Sequence, residues 1–344
     1  MHLNRPRHGR PGLAWPFLLL ALLCLVLTSR SAQAGANDMR RNLAPHMKQF
    51  NPPICSGAVH NTLVRGLYRC DGPTGYGHTY INEAASLVMP TNSRDITDFI
   101  ETGAGAKPVP EAERRALVAD MIRNLRFEEL IHIKQGNGTA KVLLLSAFDC
   151  PFCVRLERTM AAPGSRIDAD VYILPSTLDS SKNANVSTVR NIWCARDNAA
   201  VWRNTLTKAT GGYFDLPLGS CDLSNQDTKD VETLLAVLGP DFKRRAYPRM
   251  VLGNGQIYTS ATDPAELREQ LAQGAGNAFW SEAQTDSYLN FRPGNRTAAA
   301  TSSDQAGNGK KKVSVSLGDL FKRLGSGDDS KKTEKQEGSA GERP

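Results

Sequence analysis

The chain has 344 residues, 40% of them apolar and 22% charged, with a formal net charge of +7. Four arginines fall in residues 1–34 with no acid beside them, and ten basic against seven acidic residues follow from Pro293 onward. Residues 35–292 are therefore close to neutral, so nothing in the charge supports a nucleic-acid-binding surface and no nucleic-acid partner is expected.

Residues 1–34 have the three parts of a secretory signal. Arg5, Arg7 and Arg10 form a basic start, Trp15 to Leu27 an apolar centre, and Ala32-Gln33-Ala34 a small-residue cleavage site. The apolar stretch is about half of what a bilayer span needs. Export with cleavage near Ala34 is the expectation, and an uncleaved anchor the alternative. Cys24 would leave with the signal, and no small residues precede it as a lipid-anchored cysteine would require.

Some 258 residues then remain before a tail rich in Gly, Ser, Lys and Asp. That is enough for one large or two ordinary domains. Residues 35–110 carry Cys55, Cys70 and short strand-like runs at His78 to Ile81 and Ser86 to Met89, and read as a small disulfide-stapled accessory domain. Gly103 to Pro110 reads as a linker. A linker helix follows over 111–126, where Leu117, Met121, Ile122 and Leu125 form an apolar stripe beneath charge.

The part from 127 to 292 alternates in α/β fashion. Val142 to Phe148 reads as a strand, followed at once by Cys150-Pro151-Phe152-Cys153 and a helix through residue 161. Proline sits where a helix tolerates it, in the first turn. A thiol at that position gains from the helix dipole and from unpaired backbone N–H groups, both of which favour the thiolate. This is the physics of thiol–disulfide exchange. Asp170 to Leu174 is a second strand stopping at Pro175, and a polar helix-prone section covers about 185–240. Arg249 to Leu252, Gly253-Asn254-Gly255 and Gln256 to Thr259 make a hairpin. A last helix opens with Asp263 as cap and Pro264 at its first position. Strand, helix, strand, hairpin and helix is the order of a thioredoxin fold with a helical insertion. Residues 293–344 read as a disordered tail, with one apolar patch at 313–324 that suits a short docking helix only marginally.

Once Cys24 is gone, six cysteines remain. Pairing by nearness gives 55–70, 150–153 and 194–221, one of fifteen connectivities. A zinc site is the alternative for Cys150 and Cys153, but neither other pair has CxxC spacing and no histidine lies between Cys150 and Cys221. No metal and no cofactor is expected.

From about residue 128 to 272 the chain resembles the periplasmic protein disulfide isomerases of the DsbC/DsbG family. The resemblance rests on Phe148 to Cys153, Asn191 to Asp197, Ser220 to Asp222 and Tyr247 to Gln256, four pieces in the family's order. It implies a periplasmic thiol–disulfide isomerase with Cys150 as the exposed attacking thiolate and Cys153 as the resolving thiol. It makes Pro248 the cis-proline facing the site, with Tyr247 and Phe152 as client-binding neighbours. Cys194–Cys221 becomes a structural disulfide within the insertion. The implied partners are exported cysteine-containing clients, a membrane thiol–disulfide reductant, and a second copy of the chain in a homodimer.

Three departures stand out. The dipeptide between the cysteines is Pro-Phe, where the family carries Gly-Tyr or Pro-Tyr. Tyr247 stands where the family has threonine, so a bulky phenol is expected to alter client contact. Residues 35–110 do not match the family's dimerisation domain. Leu144 occupies the strand position at which reducing thioredoxins bury an acid, and Asp149 reads as an exposed turn residue. Trp193 and Trp202 read as core anchors, His132 as a strand residue, and Trp280, Tyr288 and Phe291 as aromatics packed back onto the catalytic part. Two other functions fit the same residues: a dithiol oxidase, and a non-catalytic assembly factor of a secretion or conjugation apparatus.

Overall fold

The structure, a computed structural model, describes residues 35–50, 54–72, 77–91, 96, 98–103, 106–208, 221–238, 246–253, 255–258, 263–274, 288, 289 and 291. The expected signal segment with Cys24, the tail from 293 with its patch at 313–324, and Trp280 lie outside the described residues.

The first sheet is a six-stranded antiparallel meander in chain order. Its strands are β1 (Val59–Asn61), β2 (Leu67–Asp71), β3 (His78–Asn82), β4 (Leu87–Pro90), β5 (Ile100–Glu101) and β6 (Lys107–Pro108). The turn from β3 to β4 is closed by Asn82, which donates to Ser86 Oγ at 2.9 Å and accepts from the Leu87 N–H at 2.9 Å. Alternation along the strands buries both faces. Tyr68, Ile81 and Val88 meet Met39 and Leu43 of a helix over residues 35–43 (α1), with Phe50 and Ile54 beyond it. Leu67, Tyr80, Leu87 and Met89 face the opposite way, toward α2 (Glu111–Arg123). The Cys55–Cys70 disulfide ties the approach to β1 onto β2.

Residues 103–110 are not the linker that their Gly and Pro content suggests, because β6 lies within them and pairs with β5. The helix after them ends at Arg123 rather than 126, since Leu125 turns out to bridge Val64. Leu117, Val118, Met121 and Ile122 are all buried, and one continuous apolar core runs from the first sheet through α2 into the second.

The second sheet has the order β11-β10-β8-β9-β7, from β7 (Ile131–Gln135), β8 (Ala140–Ala147), β9 (Ala169–Ser176), β10 (Arg249–Leu252) and β11 (Ile257–Tyr258). Only β8 and β9 run parallel, joined by α3 (Pro151–Ala161); every other pairing is antiparallel. With α7 (Pro264–Gln273) closing the hairpin side, this is a thioredoxin-like α/β fold with β7 added at one edge. Asp263 caps α7 by accepting from the Ala265 and Glu266 N–H groups. The insertion is α4 (Asn183–Trp193), α5 (Asn198–Lys208) and α6 (Asn225–Leu235). The Cys194–Cys221 disulfide links the end of α4 to the approach to α6.

β9 does not stop at Pro175. It continues to Ser176, with Pro175 opposite Ser146. The pairing with β7 ends at Ile173, so the N–H that proline lacks is missed on no second ladder. The Pro175 carbonyl is used instead by Thr228 Oγ1 of α6, at 2.7 Å.

Candidate functional site

The central strand β8 ends at Ala147, and the chain turns through Phe148 and Asp149 into α3. Cys150 is the N-cap of that helix, in extended backbone with φ −93° and ψ 121°, and Pro151 takes the first position. Cys153 follows in the first turn and points back under the strand end, where its Sγ accepts the Ala147 N–H at 3.3 Å. Both cysteines are free thiols. Burial pushes the Cys153 thiol up to about 12, against the Ser146 hydroxyl and the Ala147 N–H, which favour its thiolate.

Across from the helix start, Tyr247–Pro248 is a cis peptide bond leading into β10. The Cys150 thiol donates to the Tyr247 carbonyl at 3.5 Å. Cys150 is only 3% exposed and Cys153 1%. The expectation of an exposed Cys150 is thus corrected: at the helix cap it lies against the Tyr247 carbonyl of the loop before β10, so the sulfur nearest the surface is still covered.

The Tyr247 phenol runs inward, donating to Glu232 Oε1 on α6 and lying 2.9 Å from Ser176 Oγ. Burial, and then the Glu232 charge, push its ionisation well up, so the hydroxyl stays a donor. Arg249, 1% exposed at the start of β10, shares the field of Glu232.

Asp149 is an anchor, not a free turn residue. Its carboxylate accepts from Thr177 Oγ1 at 2.6 Å, the Leu178 N–H at 2.8 Å and Asn185 Nδ2 at 3.3 Å, fixing the loop between β9 and α4. Phe152 stands outside, 54% exposed, with the Arg155 guanidinium 5.7 Å from its ring centre.

Leu144 is buried in β8 between Ile173 and Met250. A buried acid comes instead from α3. Glu157 is 1% exposed, and burial raises it to about 7 against the opposing charge of Arg203 on α5. A signal for it exists in the sequence, for it lies in the apolar stripe Cys153, Leu156 and Met160 at helical spacing. Glu232, Arg249 and Ser146 carry no such signal.

The remaining residues are distributed as follows. Trp193 donates to the Glu129 carbonyl at 2.7 Å and Trp202 is fully buried. His132 stacks on Tyr172 and meets Asp170 at 3.1 Å on the edge strand β7. Tyr288 is bonded to the first sheet and its flanking turn, donating to the Arg65 carbonyl and accepting from Asn82 through its own. Phe291 belongs to the same core. Cys55, Cys70, Cys194 and Cys221 are committed to disulfides and bring no thiolate to Cys150.

No known protein-family profile matches the sequence, and no curated protein matches it. Among solved structures, the chain is similar to a disulfide interchange protein from Neisseria gonorrhoeae at 23% identity and a TM-score of 0.36, over 44% of this chain and 99% of that one. The catalytic domain of Proteus mirabilis ScsC aligns at 14% identity and a TM-score of 0.32, over 47% of this chain and 98% of that one. A periplasmic thioredoxin-like protein from Salmonella enterica serovar Typhimurium aligns at 12% identity and a TM-score of 0.31, over 49% and 99% of the two chains.

Proposed function

We propose that the protein is a thiol–disulfide oxidoreductase of the periplasm, acting as an isomerase on exported proteins. The observation that carries this reading is the pair of free thiols at the start of α3, with Cys150 in hydrogen-bond contact with the loop before β10. Cys150 stands at the N-cap of α3, at the mouth of the turn, and is the sulfur placed to attack, with Cys153 behind it.

The chemistry balances in two ways. The Cys150 thiolate attacks one sulfur of a client disulfide, and the other client sulfur leaves as a thiolate. If that thiolate attacks elsewhere in the client and finally displaces Cys150, a disulfide has moved with no net redox change. If Cys153 attacks Cys150 instead, the client leaves reduced by two electrons and the 150–153 disulfide must be reduced again, by a membrane thiol–disulfide reductant. An extended client segment would pair with the backbone of the cis-proline loop in place of Cys150, whose thiol now holds the Tyr247 carbonyl.

The test is refolding of a scrambled-disulfide client and of a fully reduced one, by the mature protein and by Cys150→Ala and Cys153→Ala. Isomerase chemistry requires rescue of the scrambled client that Cys150→Ala abolishes. Rapid oxidation of the reduced client without rescue would make the protein an oxidase. Inactivity on both would leave the assembly-factor reading.

A further inference from the structure

Two large apolar side chains stand exposed among the described residues, Phe152 at 54% and Leu178 at 55%. Exposed leucines scattered singly need no explanation, but these two belong to segments joined at the turn that carries Cys150. Phe152 is two residues after Cys150, on the first turn of α3. Leu178 lies 26 positions further on, in the loop between β9 and α4, and its backbone N–H is held by the carboxylate of Asp149, the residue before Cys150.

That loop is otherwise polar. Asp179, Ser180, Ser181, Lys182 and Asn183 follow Leu178. Asp179 accepts from Ser181 and pairs with Lys182 at 3.2 Å, and Lys229 of α6 donates to Ser180. The loop therefore closes on itself through polar bonds, and Leu178 contributes its side chain to none of them. The carboxylate of Asp149 takes Thr177, Leu178 and Asn185 together. Such a set fixes where Leu178 stands while leaving its side chain in water.

We infer that Leu178 and Phe152 are the apolar contacts of a client-docking patch around Cys150, and that Asp149 is the positioning residue that holds Leu178 in it. The patch takes an extended cysteine-containing segment whose neighbours to the cysteine are apolar, as a chain caught before its core has formed presents them. This rests on the reading of Cys150 as the nucleophile. The occupant follows from continuity: Asp149, which holds Leu178, and Phe152 flank in the chain a thiol that is itself 3% exposed, so a disulfide reaches it only with the segment that carries it. Docking free energy from apolar contact then brings the client sulfur to a covered thiol, and a disulfide in a polar stretch lacks that contribution.

The experiment uses two short peptides, each carrying one cysteine in mixed disulfide with glutathione. One has Leu, Val and Phe around the cysteine, the other Ser, Asn and Gly. The reduced protein attacks the peptide sulfur, glutathione leaves, and Cys153 then frees the peptide thiol, so both products are counted. Each reduced protein reacts once and ends with the 150–153 disulfide, so the reading is the ratio, for the two peptides, of the single-turnover rate constant at low peptide concentration, which cancels any change in the reactivity of the thiol itself. The wild-type ratio is expected to favour the apolar peptide by about tenfold or more, on the scale of burying one aliphatic side chain. Leu178→Ser should bring it to about threefold or less, through the half-saturating peptide concentration rather than the limiting single-turnover rate, and Asp149→Ala should do the same with Leu178 still present. A wild-type ratio near one, or a ratio that Leu178→Ser leaves intact, overturns the inference while the oxidoreductase reading stands. Failure of the wild type to react with either peptide overturns both.

Discussion

Tyr247 joins the thiol to the helical insertion: its carbonyl accepts from Cys150 Sγ while its phenol donates to Glu232 of α6. The loop facing Cys150 is thus tied to a helix some fifteen residues earlier in the chain. Tyr247→Phe keeps the ring and removes the hydroxyl, taking one bond each from Glu232 and Ser176 in a part-buried setting. The expected cost is about 1–3 kcal/mol of folding stability, read as a lower denaturant midpoint with an unchanged slope. A midpoint equal to that of the wild type would show that the bond contributes nothing net.

The burial of Cys153 gives a kinetic prediction. With this thiol pushed up to about 12, only a small fraction is thiolate near neutrality. Release of a trapped client by Cys153 should therefore accelerate with pH, by about tenfold per unit while the thiol is mostly protonated. Quenched-flow measurement of mixed-disulfide decay between pH 6 and 9 checks this. Cys153→Ala should accumulate the mixed disulfide on a non-reducing gel, and a flat decay profile would remove Cys153 from the release step.

Glu157 sets a pH dependence of stability. Its folded-state value is raised from an ordinary 4.5 to about 7 by burial. Between those values the folded protein holds a proton that the unfolded chain has lost, so the contribution present below pH 4.5 fades as pH rises to 7. The loss is on the order of 3 kcal/mol by the size of the shift. Glu157→Gln should flatten the denaturant midpoint across that window and make the variant more stable than the wild type at pH 8. Parallel pH profiles for the two proteins would contradict it.

The first sheet is held to the insertion by a buried ion pair. Arg69 of β2 reaches Asp230 of α6 at 2.5 Å, and Tyr80 and Gln226 donate to the other oxygen of the same carboxylate at 3.0 and 2.9 Å. Asp230→Ala strands the Arg69 charge and should cost about 3–5 kcal/mol, whereas Arg69→Met with Asp230→Leu removes both charges, takes an acceptor only from Tyr80 and Gln226, and should cost about 1–3 kcal/mol. Thermal unfolding of the two variants separates these outcomes. Equal losses in both would mean that packing, not charge, is what the pair supplies.

Local physics made much of the fold legible. β8, the cap at Cys150, the Asp263–Pro264 start of α7 and the hairpin of β10 and β11 each depend on residues within a few positions, and each follows from side-chain pattern. What the sequence hid depends on distance. Pro175 sits inside β9 because the ladder with β7 has already ended, a fact of pairing rather than of proline. β6 hides in a Gly- and Pro-rich stretch because its role is only to edge a sheet. Asp149 reads as a turn residue until Thr177 and Asn185 are brought to it. Arg69 and Asp230 lie 161 residues apart, and nothing local marks either as buried. In the site, the spacing of the thiols is plain in the sequence, but their covering is not, since it comes from a loop 97 residues later.

The continuous core beneath the two sheets has a consequence for how this protein can be divided. Its thioredoxin-like part is not a detachable cartridge, for a fragment begun at residue 127 would leave Asp230 without its arginine and bare the apolar side chains that α2 and β2 to β4 now cover. Transplanting the thiol site into another scaffold therefore means carrying the first sheet along with it, or repainting the face of α6 that was built to meet it.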